Sequence, residues 1–129
     1  MGAQKVEEFL PPLLEAVKKK GQVVTWCADP MHGNTYATET GIKTRSFEDI
    51  YTELLKTFDI HNDVGTILGG VHLELTGDNV TECVGGAGEL AEPDLNKAYK
   101  SQVDPRLNYD QAMELAFLIS EKMKINVAK

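Results

Sequence analysis

Segments with helical spacing alternate with segments of strand-forming residues along the whole 129-residue chain. This alternation is typical of an α/β fold, in which helices connect parallel strands. The predicted helices cover residues 11–20, 47–58, 94–99 and a stretch from residue 108, and the predicted strands cover residues 22–26, 70–77 and 101–103. Pro11 and Pro12 are expected in the first turn of the first helix, where proline is tolerated. The length allows one modest domain, so we predict a single α/β unit.

The helix after Ser46 has the clearest sequence signal. Asp49 follows Ser46 by three positions, which resembles a capping box. The apolar residues that follow recur at the spacing of one helical face: Phe47, Ile50, Tyr51, Leu54, Leu55 and Phe58. This stripe predicts a helix that packs against a core. The last helix starts in a similar way, because Gln111 follows Asn108 by three positions.

The residues before position 35 predict a buried strand that ends in a functional loop. Residues 23–26 (VVTW) are β-branched or aromatic, which favours a covered strand. Pro30 and Gly33 then stop the strand and bend the chain. His32 is therefore expected on an irregular segment that a ligand can reach.

Three polar residues, His32, Glu74 and Asp104, fall near the carboxyl ends of three predicted strands. Because parallel strands bring their carboxyl ends to one face, these side chains are expected to converge there. One imidazole and two carboxylates suit manganese, iron, cobalt or zinc. Each residue also has a structural alternative: a hydrogen-bonded loop histidine, a glutamate in a salt bridge, and an aspartate that starts a turn before Pro105. His72, lower on its strand, is predicted to be a core histidine.

Two cations precede the helix that Ser46 opens. Lys43 and Arg45, together with the helix amino terminus, are candidate contacts for a substrate phosphate. The alternative is a solvated charged loop. Residues 78–93 are predicted to form a long loop, and Cys83 within it is predicted to be a buried thiol.

The overall composition excludes several classes of partner. Twenty acidic and thirteen basic residues give a formal net charge of −7, which argues against nucleic acid or an anionic membrane as the main partner. Two cysteines are too few for a disulfide framework, and the sequence has no 18-residue apolar run and no signal-peptide pattern. We therefore expect a cytoplasmic location, or a plastid if the source is a plant or alga.

Five ordered motifs closely resemble class II 3-deoxy-D-arabino-heptulosonate 7-phosphate (DAHP) synthases. They are residues 29–35 (DPMHGNT), 43–45 (KTR), 69–77 (GGVHLELTG), 79–83 (NVTEC) and 104–108 (DPRLN). The resemblance runs from residue 1 to the last helix and corresponds to the carboxyl-terminal third of that family's chain. It implies part of a (β/α)8 barrel, roughly the last three β/α units, with residues 1–129 as a single segment.

The resemblance also implies a function and a cofactor. Family members are transferases that open the shikimate pathway to the aromatic amino acids by condensing phosphoenolpyruvate with erythrose 4-phosphate. They use a divalent metal, so Mn²⁺ or Co²⁺ is expected here. His32, Glu74 and Asp104 match three of the family's ligands, whereas neither Cys27 nor Cys83 matches the fourth, a cysteine. Lys43 and Arg45 remain candidate substrate contacts, and no residue is assigned a catalytic role.

Two hypotheses follow for the chain itself. In the first, it is the metal-bearing segment of such a synthase and is inactive without the amino-terminal part, because the family's phosphate-binding Arg before the Met1-Gly2 pair has no counterpart. In the second, it is a non-catalytic remnant or assembly module that binds a divalent metal or a partner chain. Three parallel strands leave an open edge, so both hypotheses predict association with itself or with a complementary chain.

Overall fold

The computed structural model describes residues 1–127, with α/β architecture as predicted. The helices are α1 (Val6–Lys19), α2 (Phe47–Val64) and α3 (Tyr109–Val127). The strands are β1 (Trp26–Ala28), β2 (Thr35–Ala37), β3 (Lys43–Arg45) and β4 (Leu68–Val71), and two 3₁₀ turns cover His32–Asn34 and Glu92–Lys97. None of the described helices is both long and apolar enough to cross a membrane.

The parallel sheet consists of β1 and β4, and its register shifts between Trp26 and Cys27. The pairing continues past both strands, because the His72 N–H donates to the Ala28 carbonyl at 2.7 Å. Further on, Leu75 pairs with Leu107 in a parallel bridge. Three chain segments therefore run side by side and bring their carboxyl ends to one edge.

The predicted strand positions are partly wrong. The strand predicted at residues 22–26 begins only at Trp26, and Val23 and Val24 are 102% and 47% exposed rather than buried. The strand predicted at residues 70–77 is regular only over Leu68–Val71, because hydrogen bonding to β1 sets its limits. Residues 101–103 form no strand, since a turn closes there: the Ser101 hydroxyl donates to the Asp104 carbonyl at 2.7 Å.

Helix α1 begins five residues earlier than predicted, at Val6, so Pro11 and Pro12 lie inside it rather than in its first turn. Neither proline has an N–H to donate to the carbonyl four residues earlier, so α1 lacks two of its helical hydrogen bonds there. Val6, Leu10 and Leu14 are buried and pack with Trp26, Ile60 and Val64. This apolar cluster attaches α1 to α2.

Helix α2 is the centre of the packing. Its predicted cap is confirmed, because the Asp49 N–H donates to the Ser46 hydroxyl at 3.3 Å, and Gly65 ends the helix in a left-handed conformation. The second apolar cluster contains buried residues from α2, from α3 and from loops before each of these helices: Met31, Phe47, Ile50, Leu54, Cys83, Leu107 and Leu115. Cys83 is therefore a buried thiol, as predicted.

An antiparallel hairpin, β2 paired with β3, was not predicted from the sequence. Gly41 supplies the positive φ of its turn, and the Thr38 N–H donates to the Ile42 carbonyl at 2.9 Å. The hairpin follows the His32–Asn34 turn directly, and Arg45 lies opposite Thr35 in its register. It therefore places the predicted cations of β3 next to the histidine.

Candidate metal centre

His32 lies in the 3₁₀ turn that follows β1, and Asp29 fixes its orientation. The Asp29 carboxylate accepts hydrogen bonds from the backbone N–H groups of Met31 and His32 at 2.9 and 3.2 Å. Its second oxygen lies 2.7 Å from His32 Nδ1. Burial raises the pKa of Asp29, but these hydrogen bonds outweigh it and bring the pKa below its usual value. An ionised Asp29 thus holds the ring so that Nε2 faces away, an arrangement common for metal-binding histidines.

Glu74 and Asp104 approach His32 Nε2 from the other two segments. The Glu74 Oε1 atom lies 3.5 Å from Nε2, and the Asp104 Oδ2 atom lies 3.7 Å from it. Glu74 is held in place because its carbonyl accepts from the Leu107 N–H at 3.0 Å. The predicted convergence of His32, Glu74 and Asp104 is therefore present in the structure, with their ligand atoms within 4.8 Å of one another.

These donor atoms fit a divalent ion. Two ligands that each lie about 2.0–2.2 Å from one ion can be at most about 4.4 Å apart. The separations of 3.5 and 3.7 Å from His32 Nε2 fall within that limit. An imidazole nitrogen with two carboxylates suits a first-row transition ion rather than Ca²⁺, which prefers oxygen ligands only.

Arg45 is completely buried, with a side-chain exposure of 0%. Its Nη1 donates to the Glu74 carboxylate and to the Pro105 carbonyl, and its Nε donates to the Thr35 hydroxyl at 2.8 Å. The remaining nitrogen, Nη2, has no partner among the described residues. Arg45 therefore neutralises one candidate ligand and connects it to the segment that carries another.

Lys43 lies two residues before Arg45 on β3 and is half exposed. Its Nζ donates to the Asp104 carboxylate. This hydrogen bond is the main reason that the pKa of Asp104 lies below its usual value. Both predicted cations thus lie at the candidate centre, and each is paired with one of its carboxylates.

His72 is exposed, so the prediction of a core histidine is wrong. Its ring stacks on that of His32, with 6.1 Å between ring centroids. With Asp29 and His32 it forms a second group of ligand atoms within 4.8 Å of one another.

Two buried carboxylates were missed by sequence reasoning. Glu82 is fully buried and bonded to Arg106, and Glu53 accepts from Asn34 Nδ2 at 2.7 Å and the Gly2 N–H at 3.1 Å. The Gly2 backbone lies very close to Gly33. A Cβ atom added to Gly33 would lie 2.3 Å from the Gly2 nitrogen. Alternating residues in 35–45 around a Thr-Gly turn could have signalled the hairpin, whereas nothing in the local pattern distinguishes Glu82.

A candidate divalent-metal centre at the carboxyl ends of parallel segments places the chain in a broad class of α/β proteins. The chain belongs to the class-II DAHP synthetase family, whose model matches residues 1–120. The resemblance found in the sequence is thereby confirmed.

Three similar proteins share one enzyme name. The chain is 50% identical over 121 residues to phospho-2-dehydro-3-deoxyheptonate aldolase of Streptomyces coelicolor, 48% over 124 residues to that of Mycolicibacterium smegmatis, and 52% over 122 residues to that of Neurospora crassa. These matches cover 94%, 96% and 93% of this chain. The chain spans only 27%, 27% and 25% of the length of these relatives.

Proposed function

We propose that this chain is the metal-bearing segment of a DAHP synthase, which condenses phosphoenolpyruvate with erythrose 4-phosphate. The observation that carries the proposal is the convergence of His32, Glu74 and Asp104, with 3.5 and 3.7 Å between His32 Nε2 and the two carboxylates. The names of relatives that are 48–52% identical support the same activity.

His32, Glu74 and Asp104 would hold Mn²⁺ or Co²⁺. Such an ion, when bound, supplies a Lewis acid for the aldehyde oxygen of erythrose 4-phosphate. Asp29 keeps the Nδ1 side of His32 occupied, so that Nε2 remains the ligand atom. Arg45 balances the charge of Glu74 from the buried side.

We assign Lys43 and Arg45 to substrate contact as well. Lys43 Nζ lies at the exposed side of Asp104, where it can also donate to a phosphate or hydroxyl oxygen. Arg45 Nη2 has no partner in the described part of the chain but is buried, so a substrate oxygen would reach it only after the side chains around it move. Two phosphorylated substrates need more cations than these two, each of which already pairs with a carboxylate. We therefore propose that condensation requires further residues from a complementary segment.

The proposed architecture is part of a (β/α)8 barrel. Residues 26–28, 68–75 and 107 run in parallel, which supports three neighbouring positions in such a barrel. A role as a non-catalytic assembly module is the second candidate. It is favoured by the exposed apolar residues Val23, Val24 and Ile67 beside the sheet.

The proposal is tested by titrating the chain with Mn²⁺ and with Co²⁺ in a calorimeter. We expect one site per chain, and we expect His32→Ala, Glu74→Gln and Asp104→Asn each to weaken binding by more than about a hundredfold, since removing a ligand costs more than removing its outer-shell support. Co²⁺ absorption gives an independent signal of the change in coordination.

Asp63→Asn is the matched control for this titration. It removes one carboxylate from the exposed surface of α2 and changes the net charge as Glu74→Gln does. We expect its Mn²⁺ affinity to equal that of the wild type. Equal affinity for the wild type and Glu74→Gln would contradict the proposed site.

A further inference from the structure

Glu82 is a fully buried carboxylate in the long loop after β4, outside the ligand set. Five N–H groups donate to its two oxygens at 2.8–3.0 Å: the backbone N–H groups of Lys100, Ser101 and Arg106, and the Nε and Nη2 groups of Arg106. A buried charge is costly unless it is both paired and fully hydrogen bonded, and this one is both. Its surroundings are thus built for an ionised carboxylate.

The donors lie on both sides of Asp104. Lys100 and Ser101 precede it, and Arg106 follows it two residues later. Within this loop the Ser101 hydroxyl also donates to the Asp104 carbonyl at 2.7 Å. One carboxylate therefore fixes the backbone before and after the residue that faces His32.

Glu82 also connects this loop to β3. Its carbonyl accepts a hydrogen bond from the buried Thr44 hydroxyl at 2.8 Å. The neighbours of Thr44 on β3 are Lys43 and Arg45, whose side chains pair with Asp104 and Glu74. Glu82 is therefore connected through β3 to the two cations that pair with the carboxylates of the centre.

We propose that Glu82 is a positioning residue of the metal centre, which holds the loop of residues 100–106 so that Asp104 faces His32. The inference rests on the proposed function, because it concerns Asp104 as a ligand. It gives a role to a residue whose carboxylate, within the described part of the chain, is hydrogen bonded to Lys100, Ser101 and Arg106 and to none of the three proposed ligands. Outer-shell groups of this kind commonly change metal affinity by 10–100-fold.

The ionisation state of Glu82 agrees with this role. Burial raises the pKa of Glu82, but the hydrogen bonds from Arg106, Lys100 and Ser101 outweigh it and bring the pKa below its usual value. The group is therefore an anion at neutral pH, where all five donors can be satisfied. Glu82→Gln replaces one acceptor oxygen by an NH₂ group. This group cannot accept, so the N–H groups that donated to that oxygen lose their partner.

The test compares Mn²⁺ affinity in the 129-residue wild type, Glu82→Gln and Arg106→Lys by calorimetry, with all proteins shown to be folded at the measuring temperature. We expect Glu82→Gln to bind Mn²⁺ about 10–100-fold more weakly. Arg106→Lys keeps the positive charge and the backbone N–H donor, so we expect a smaller loss. If Glu82→Gln does not fold, the Mn²⁺ affinity of Arg106→Lys is used to test the same role.

Leu14→Ala is the control for general destabilisation. Leu14 is fully buried in the α1–α2 cluster, so its truncation destabilises the fold without touching the loop of residues 100–106. We expect its Mn²⁺ affinity to stay within twofold of the wild type. Equal affinity for wild type and Glu82→Gln, or equal losses in Glu82→Gln and Leu14→Ala, would overturn the positioning role.

A wild type that binds no Mn²⁺ would overturn the metal site of the proposed function instead. In that case, amide hydrogen exchange measured without metal tests separately whether Glu82 holds the loop of residues 100–106. We expect Glu82→Gln to accelerate exchange at the Lys100, Ser101 and Arg106 amides and to leave the α2 amides unchanged. Unchanged exchange at these three amides would show that Glu82 does not hold the loop.

Discussion

At the scale of single residues, the buried Arg45 and the buried thiol of Cys83 lie near each other without reacting as an activated pair. Its guanidinium is neutralised by Glu74 and bonded to the Pro105 carbonyl, as a buried charge requires. Cys83 belongs to the apolar cluster and lies close enough to Arg45 to be affected by its charge. Burial raises the pKa of the Cys83 thiol to about 12, although the charge of Arg45 acts in the opposite direction. The cation is thus committed to Glu74 and does not activate the thiol.

We expect one fast-reacting thiol per folded chain. Cys27 is exposed and Cys83 is buried, so an aromatic disulfide reagent at pH 8 should modify only Cys27 and should modify Cys83 after unfolding. Because the folded pKa of Cys83 lies above its unfolded value, its contribution to stability is present below about pH 9 and decreases as the pH rises further.

Absorbance of the released thiol measures this reactivity. Cys27→Ser should remove the fast phase and leave the slow one. Two fast equivalents in the folded wild type would contradict the burial of Cys83.

At the scale of elements, the start of α3 holds the long loop as well as the helix. The Gln111 N–H donates to Asn108 Oδ1 at 2.9 Å, and the Asn108 N–H donates to Gln111 Oε1 at 3.2 Å, which completes a capping box. The two side chains also donate to the loop: Asn108 Nδ2 to the Val80 carbonyl at 3.0 Å, and Gln111 Nε2 to the Cys83 carbonyl at 3.1 Å. The loop that contains Glu82 is therefore anchored to a helix end.

Asn108→Ala should lower the free energy of unfolding by about 1–3 kcal/mol. It removes a helix cap, worth about 0.5–2 kcal/mol, and leaves the buried Val80 carbonyl without its donor. Urea denaturation followed by circular dichroism measures the change. Met113→Ala, on an exposed position of the same helix, should stay within about 0.5 kcal/mol of the wild type.

Features that depend on residues close together in the sequence were predictable, whereas features that depend on distant residues were not. Caps such as Ser46 and Asn108 depend on neighbours within three residues, so the sequence was sufficient to place both. The convergence of His32, Glu74 and Asp104 followed from the rule for parallel strands. By contrast, Glu82 acts through residues 18 to 24 positions away, and no local pattern encodes such partners. Strand limits were displaced because pairing between β1 and β4, rather than residue type, sets them.

At the scale of the whole molecule, three exposed apolar side chains directly precede the two strands of the parallel sheet. Val23, Val24 and Ile67 are 102%, 47% and 84% exposed. Within residues 1–127, β1 pairs only with β4, so one edge of this sheet is open. An open edge next to apolar side chains is a surface on which another strand can add.

We therefore expect the chain to associate in a concentration-dependent manner. Val24→Lys and Ile67→Lys should shift sedimentation towards the monomer, because they place charges in the exposed apolar surface that precedes β1 and β4. Phe117→Lys is the matched control, since Phe117 is 65% exposed but lies on α3. A shift caused only by Phe117→Lys would place the interface on the helix instead.

The three candidate ligands come from segments that are far apart in the chain, and this has a consequence for folding. The unfolded chain offers His32, Glu74 and Asp104 only as separate groups, because long loops must close before they meet. An ion held by all three would bind the native state selectively. At a free ion concentration 100 times the dissociation constant, this linkage adds about 2.7 kcal/mol to the stability of the native state. Under the proposed function, the thermal midpoint of the chain thus reports the concentration of free Mn²⁺.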